Sequence, residues 1–184
     1  MENAKSMRSV AQCHEDPGDK SVYFRPGDEI SSIKVELTKG PRNALQIALR
    51  SPRWHQAKIA FTAKCKALTE PKRHDDDEKN PLTVSVASGQ LNDWLRLVAT
   101  KIEAAVGTQA QFNDPVKTDL FGEEFVRAKL FKNPEPRWID KDGEKTEPFA
   151  LADKEIYIMA MLRAYAMNGS WGLTVDVYQI QAAS

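Results

Sequence analysis

Apolar and polar residues alternate in several separate segments, and this period of two limits what the chain can fold into. It is clearest in AKIAFTAKCKAL, residues 57–68, where Lys58, Lys64 and Lys66 share the face opposite the apolar side chains. Successive side chains of a β-strand point to opposite sides of a sheet, so this segment predicts a half-buried strand with a basic outer face. Further strands are predicted in residues 31–38, 44–50, 81–87, 124–131, 155–167 and 171–181.

One segment has a different period. Between residues 89 and 106 the apolar side chains recur every three or four positions, which predicts an α-helix. Ser88 stands where a helix N-cap is expected, and Gly107 stands where a left-handed C-terminal cap is expected. Short strands around one helix, without regular strand–helix repetition, favour an antiparallel barrel or sandwich.

The length of 184 residues fits a single domain. Residues 1–29 mix charge, Pro and Gly without a period, so we predict a flexible N-terminal arm there. The domain is predicted to span residues 30–181 and to leave a short C-terminal stub at residues 182–184. Neither a signal-like start nor an apolar run of membrane-spanning length is found in the sequence, and its two cysteines lie in dissimilar contexts. These features predict a soluble protein of a reducing, intracellular compartment.

Enzyme and metal signatures are weak. The segment DKDG, residues 140–143, looks like the middle of a calcium loop, but the bidentate glutamate is missing and a hairpin turn explains it better. The cysteines and histidines do not have zinc-site spacing, and no phosphate loop, nucleophile elbow or dinucleotide fingerprint is found. We predict no catalytic residues, no metal and no cofactor.

Basic residues are a stronger signal, but only locally, because 26 Lys and Arg balance 26 Asp and Glu. In EFVRAKLF, residues 124–131, one strand face carries Phe125, Arg127, Lys129 and Phe131. Single-stranded nucleic acid is bound by such a pattern, since bases stack on rings and cations follow the phosphates. The alternative is that the helix covers both phenylalanines and the cations are ordinary surface residues.

A second basic cluster, RSPRWHQAK, spans residues 50–58 and contains one tryptophan. Trp54 could present its ring to a base, or it could pack in a core or an interface. Arg163 and Tyr165 raise the same question, since they share a face with tyrosine and methionine residues that a second buried side would also explain. The predicted phosphate-binding residues are Arg50, Arg53, Lys58, Lys64, Lys66, Arg127, Lys129 and Arg137. The predicted base-stacking residues are Trp54, Phe125, Phe131 and Trp138.

Four segments of the sequence are, in order, PLTVSVASGQLNDWLRLVATKIEAAV, EFVRAKLF, WIDKDGEK and IYIMAMLRAYAMNGSWGLTVDVYQIQ. Together they resemble the OB-fold single-stranded DNA-binding proteins of viral replication, found in large eukaryotic DNA viruses and some tailed phages. The resemblance implies a five-stranded barrel, elaborated here with extra strands and the helix. It also implies a protein without catalysis that coats single strands during viral or phage replication or recombination. Proteins of this kind often carry an acidic C-terminal tail, whereas this sequence ends in QIQAAS.

The expected partners are single-stranded DNA, other copies of the chain on the strand, and replication proteins, with RNA left open as a ligand and no membrane. The groove is expected between residues 57–66 and 124–131. The closing strand would seal the barrel. Trp171 would plug the barrel end or pack against the helix, and base stacking is the alternative. The alternative function, from another class, is a structural β-sandwich protein that forms a homo-oligomer, as a virion component or interaction module, without binding DNA.

Overall fold

The computed structural model describes residues 30–50 and 59–184, and the predicted arm at residues 1–29 lies outside them. The described residues form ten strands and one α-helix. In chain order they are β1 (Lys34–Lys39), β2 (Leu45–Arg50), β3 (Ile59–Ala67), β4 (Thr83–Ala87), α1 (Gly89–Val106), β5 (Gln111–Asn113), β6 (Val116–Thr118), β7 (Glu124–Leu130), β8 (Arg137–Ile139), β9 (Glu155–Met167) and β10 (Ser170–Ala182).

Five of these strands close into a ring. Strand β3 pairs antiparallel with β9 and with β4, β4 pairs antiparallel with β7, and β9 pairs antiparallel with β10. The ring closes where β7 meets β10 in parallel, with Lys129 opposite Asp176 and Leu130 opposite Val177. Each of the five strands therefore has two neighbours in the ring, although β3–β4 and β7–β10 pair over only two residues each. The predicted mainly β fold, an OB-like five-stranded barrel, is confirmed, with one parallel pairing among the five.

The other strands elaborate the barrel. Strands β5 and β8 pair with β10, and β6 pairs with β7. Strands β1 and β2 form a separate two-stranded antiparallel sheet. Since the main sheet closes on itself, the architecture is a barrel and not the two-sheet sandwich of the alternative hypothesis.

The barrel core is filled by the apolar faces that the alternating sequence predicted. In β3 the core-facing residues are Ile59, Phe61, Ala63, Cys65 and Ala67, none more than 4% exposed. Ala60 and Thr62 on the opposite face are buried as well, so only the second half of β3 is half-buried as predicted. Burial raises the pKa of the Cys65 thiol to about 12, so this thiol packs as a small apolar group. Strand β10 adds Leu173, Val175, Val177 and Ile180 to the same core.

The helix covers the core as its spacing predicted, and its observed bounds match the predicted 89–106. The Ser88 Oγ accepts a hydrogen bond from the Leu91 N–H at 3.3 Å, which caps the first turn. Gly107 ends the helix with a φ of 58°, a conformation that glycine adopts without strain. Trp94 is 1% exposed and lies with its ring centroid 5.2 Å from that of Phe61 inside the barrel.

The last strand completes the barrel, as expected. Trp171, at its start, is buried and stacks on Phe112 of β5 with the ring centroids 4.5 Å apart. It therefore belongs to the barrel core. A register shift between Val177 and Gln179 keeps Ile180 on the inner face.

In the residues that the structure describes, no helix has the length and apolar character needed to cross a bilayer.

Candidate functional site

A groove opens at a fork in the barrel wall. The first half of β7 pairs with β6, through Val116 opposite Val126, and its end pairs with β10, through Lys129 opposite Asp176. Strand β10 pairs in turn with β5 at its own first residues. Between these pairings β7 and β10 separate and leave an open groove of about 540 Å³. Its walls come from β7, β10, the end of β9 and residues 113–117.

Four cations line this groove: Lys117, Arg127, Lys129 and Arg163. The acidic residues nearby are fewer. Asp114 also lines the groove, and its carboxylate accepts the Val116 N–H at 2.9 Å. Asp176, 8% exposed, lies with a carboxylate oxygen 3.9 Å from Nε of Arg163. Positive charge is thus concentrated here in a chain whose net charge is zero.

The groove also has an aromatic and apolar surface. The ring of Tyr165 lies over Gly172, its register partner on β10, so closely that a Cβ on Gly172 would stand 2.7 Å from the tyrosine oxygen. The same oxygen accepts a hydrogen bond from Nδ2 of Asn113 at 3.0 Å, which fixes the ring. Met167, 66% exposed, adds an apolar side chain to the groove lining. Cations beside a flat aromatic surface suit an anionic ligand that carries flat apolar groups.

Three of the sequence-predicted site residues lie together at this groove. Arg127 and Lys129 line it, as the outer face of β7. Phe125 lies on the same face, with its ring centroid 5.9 Å from the Arg127 guanidinium carbon and with Lys117 as its register partner on β6. Of the two rings predicted beside these cations, only Phe125 lies next to them.

The groove that we expected between residues 57–66 and 124–131 is not formed by those two segments, because β4 lies between β3 and β7. On β3, Lys64 is 3.3 Å from Glu155 and 5.8 Å from the ring of Tyr157, and Lys66 is exposed. Alternation in a sequence identifies which residues share a face, but it does not determine which strands are neighbours.

Of the remaining predicted residues, those that the structure describes lie apart from the groove. Arg50 is 2.5 Å from Glu36 on the neighbouring strand β1. Phe131 stacks on Tyr178 at 6.1 Å, and Trp138 contacts Phe149 edge-on at 5.0 Å. Arg137, next to Trp138, is exposed on β8. Arg53, Trp54 and Lys58 lie outside the described residues.

Sequence reasoning left Arg163 and Tyr165 open and did not select Lys117. The structure shows that the outer face of β9 is divided. Tyr157 and Met159 are buried in a small cluster, whereas Arg163 and Tyr165, farther along the strand, line the groove. The available signal was the change from Met and Tyr to Arg within one alternating face.

No protein-family model matches this sequence, and no curated protein sequence matches it. Among solved structures it is similar to gp2.5, a single-stranded DNA-binding protein encoded by bacteriophage T7, with a TM-score of 0.48 and 15% identity over 68% of this chain and 86% of that chain. It is also similar to the single-stranded DNA-binding protein from bacteriophage Enc34, with a TM-score of 0.45 and 8% identity over 82% of this chain and 90% of that chain. The structure of the Enc34 protein in complex with ssDNA matches with a TM-score of 0.46 and 8% identity over 81% of this chain and 94% of that chain.

In the described ranges, 30–50 and 59–184, no three His, Cys, Asp or Glu side chains are grouped in a way that could hold a metal ion.

Proposed function

We propose that this chain is a single-stranded DNA-binding protein that coats and protects transient single strands during viral or phage DNA replication or recombination. The observation that carries the proposal is the groove in the barrel wall, which is lined by Tyr165 and by four cations, Lys117, Arg127, Lys129 and Arg163. Phosphates would contact the cations, and bases would stack on Tyr165 and on the neighbouring Phe125.

Binding without sequence preference follows from the same residues. Stacking uses the face of a base and not its hydrogen-bonding edge, so every base can occupy the ring. The cations contact phosphates, which are the same at every position of a strand. The proposed protein acts as a coat and not as an enzyme, inside the host cell at the site of DNA replication, where it would associate with other copies and with replication proteins. Single-stranded RNA has the same phosphates and bases, so RNA is a second ligand to compare.

Titration of a labelled oligo-dT with the protein, at several salt concentrations, tests the proposal. We expect binding that weakens steeply as salt rises, and weaker binding to a duplex of the same length. The double variant Arg127→Ala/Lys129→Ala should bind more weakly and should reduce the slope of log affinity against log salt by about 1.4, since each contact to a single strand contributes about 0.7.

The matched control is Lys141→Ala/Lys145→Ala, which removes the same charge from exposed positions of another turn. This control should leave the salt slope close to that of the wild type. No binding of oligo-dT at low salt, or equal affinity for duplex and single strand, contradicts the proposed function.

A further inference from the structure

Two apolar side chains stand in solvent at the tip of the hairpin that joins β6 and β7. Leu120 is 100% exposed and Phe121 is 95% exposed. Large apolar side chains scattered singly over a surface are ordinary, but two adjacent and fully exposed ones at one apex are not. We call residues 119–123 the apolar tip.

The apolar tip is held in a defined conformation. The Asp119 carboxylate accepts the N–H groups of Phe121 at 2.8 Å and of Glu123 at 2.9 Å. The Asp119 N–H donates to the Glu123 carbonyl at 2.9 Å, and the Gly122 N–H donates to the Asp119 carbonyl at 3.1 Å. The two apolar side chains are therefore presented by an ordered turn.

A second turn in the same chain shows that the turn does not need apolar residues. At residues 140–144 the Asp140 carboxylate accepts the N–H groups of Asp142 and Glu144, each at 2.9 Å. The Asp140 N–H donates to Glu144 at 2.8 Å, and the Gly143 N–H donates to Asp140 at 3.1 Å. The residues in the positions of Leu120 and Phe121 are Lys141 and Asp142. Folding of the turn thus gives no reason for the leucine and phenylalanine, which suggests that they bind something.

A pocket of matching character lies at the other end of β7. It has a volume of about 220 Å³ and is lined by Phe131, Trp138 and several prolines. A cavity of about 150 Å³ suffices to bind a benzene ring, so this pocket has room for a phenyl group. Arg73 and Lys132 also line it, against one carboxylate from Glu135. We call it the proline pocket.

Charge and position make the apolar tip and the proline pocket complementary. The tip carries the carboxylates of Asp119 and Glu123, whereas cations outnumber carboxylates in the pocket lining. The tip precedes β7 and the pocket includes its last residue, Leu130, so the seven residues of β7 separate them by roughly 20 Å. The tip of one molecule therefore lies too far from its own pocket to enter it, but it can enter the pocket of a second copy.

We propose that the apolar tip of one copy docks into the proline pocket of the next copy, with Phe121 in the pocket. This contact rests on the proposed function for its role and is head-to-tail, so it can repeat along a strand of DNA. The groove residues Arg127 and Lys129 lie on β7 between the two contact surfaces and stay free to bind phosphates. Cooperative coating follows, because each bound copy provides a docking surface for the next one.

The variant Leu120→Lys/Phe121→Asp tests the contact while giving the tip the residues of the second turn. On an oligo-dT of about 8 nucleotides, long enough for one copy, we expect the affinity to stay within about twofold of the wild type. On an oligo-dT of about 70 nucleotides we expect cooperativity to be lost and the apparent affinity to fall roughly 10- to 100-fold, the value of burying one phenylalanine. Lys141→Ala/Asp142→Ala, in the second turn, is the matched control and should behave as the wild type on both lengths.

A mixing experiment tests the geometry without DNA. The tip variant keeps a normal pocket, and the pocket variant Arg73→Glu/Lys132→Glu keeps a normal tip. Each variant alone should give no dimer after zero-length carboxylate–amine cross-linking at high protein concentration. An equal mixture should give cross-linked dimers, because one intact contact is restored and brings the tip carboxylates to Lys132.

The results of these experiments distinguish a contact between copies from a role of the apolar tip in binding DNA. Loss of affinity on the short oligonucleotide would assign the tip to DNA bases and overturn the contact between copies. Unchanged cooperativity on the long one, or an absence of dimers in the mixture, would also overturn it. If the wild type does not bind oligo-dT at all, the proposed function fails, while dimers in the mixture would still support the contact.

Discussion

Gly172 makes room for the aromatic surface of the groove, because its side chain is only a hydrogen atom. Tyr165 lies over it and is held there by Asn113. A methyl group at this position would stand 2.7 Å from the tyrosine oxygen, so Gly172→Ala must displace the ring. If that ring stacks on a base, the substitution should lower the affinity for oligo-dT roughly 5- to 100-fold, as Tyr165→Ala would.

The control for this glycine is Gly89→Ala, at the first position of α1. A Cβ there has no atom within 4 Å, and alanine favours helix, so binding and stability should be unchanged or slightly improved. Fluorescence anisotropy on the short oligo-dT reads the affinities, and thermal unfolding checks that both variants are folded. Wild-type affinity in folded Gly172→Ala would remove Tyr165 from the proposed interface.

At the scale of elements, the loop between β3 and β4 is attached to the segment before β9 by one carboxylate. The Glu70 carboxylate accepts the N–H groups of Ala152 and Leu151, each at 2.9 Å. The bonds from Ala152 and then Leu151 hold the pKa of Glu70 below its ordinary value. The folded state therefore favours the ionised form, which adds stability above the unfolded pKa, near 4.3, that is lost as the pH falls through the lower folded pKa.

Thermal unfolding of Glu70→Gln against pH tests this attachment. The variant should melt at a lower temperature than the wild type above about pH 5, and the difference should shrink as the pH falls below about 4. Glu78→Gln, an exposed glutamate of the same loop, removes the same charge as a control. A difference between Glu70→Gln and the wild type that stays constant from pH 3 to pH 7 would rule out the carboxylate as the cause.

The sequence predicted single helices and strands more readily than it predicted which strands pair with each other. The helix at Gly89–Val106 was predicted because a period of three to four residues, an N-cap serine and a C-terminal glycine agree. The inner face of β3 was predicted by alternation alone. The pairing of β7 with β4 and β10 was not predicted, because the paired residues are far apart in the chain. The alternating pattern of each strand does not determine the register between them.

For the molecule as a whole, the position of the charge matters more than its sum. Sequence alone selected Arg127 and Lys129, which share a face of one strand. It did not select Lys117, Arg163 and Tyr165, because β6 and β9 bring these residues to the same groove only after the barrel has closed. A neutral chain can therefore present a basic groove, and its affinity for a polyanion should follow the groove and not the net charge.

Two substitutions that change the net charge by the same amount test whether the groove or the net charge governs binding. Asp176→Asn removes the carboxylate 3.9 Å from Arg163, so the guanidinium can turn to a phosphate. Asp142→Asn removes an exposed carboxylate from the turn at residues 140–144. We expect Asp176→Asn to strengthen oligo-dT binding about two- to fivefold at low salt, with the gain fading near 1 M salt, where the screening length is about 3 Å. Asp142→Asn should have little effect at either salt concentration. Equal gains from the two substitutions would mean that the net charge governs binding, and the groove would then lose its special role.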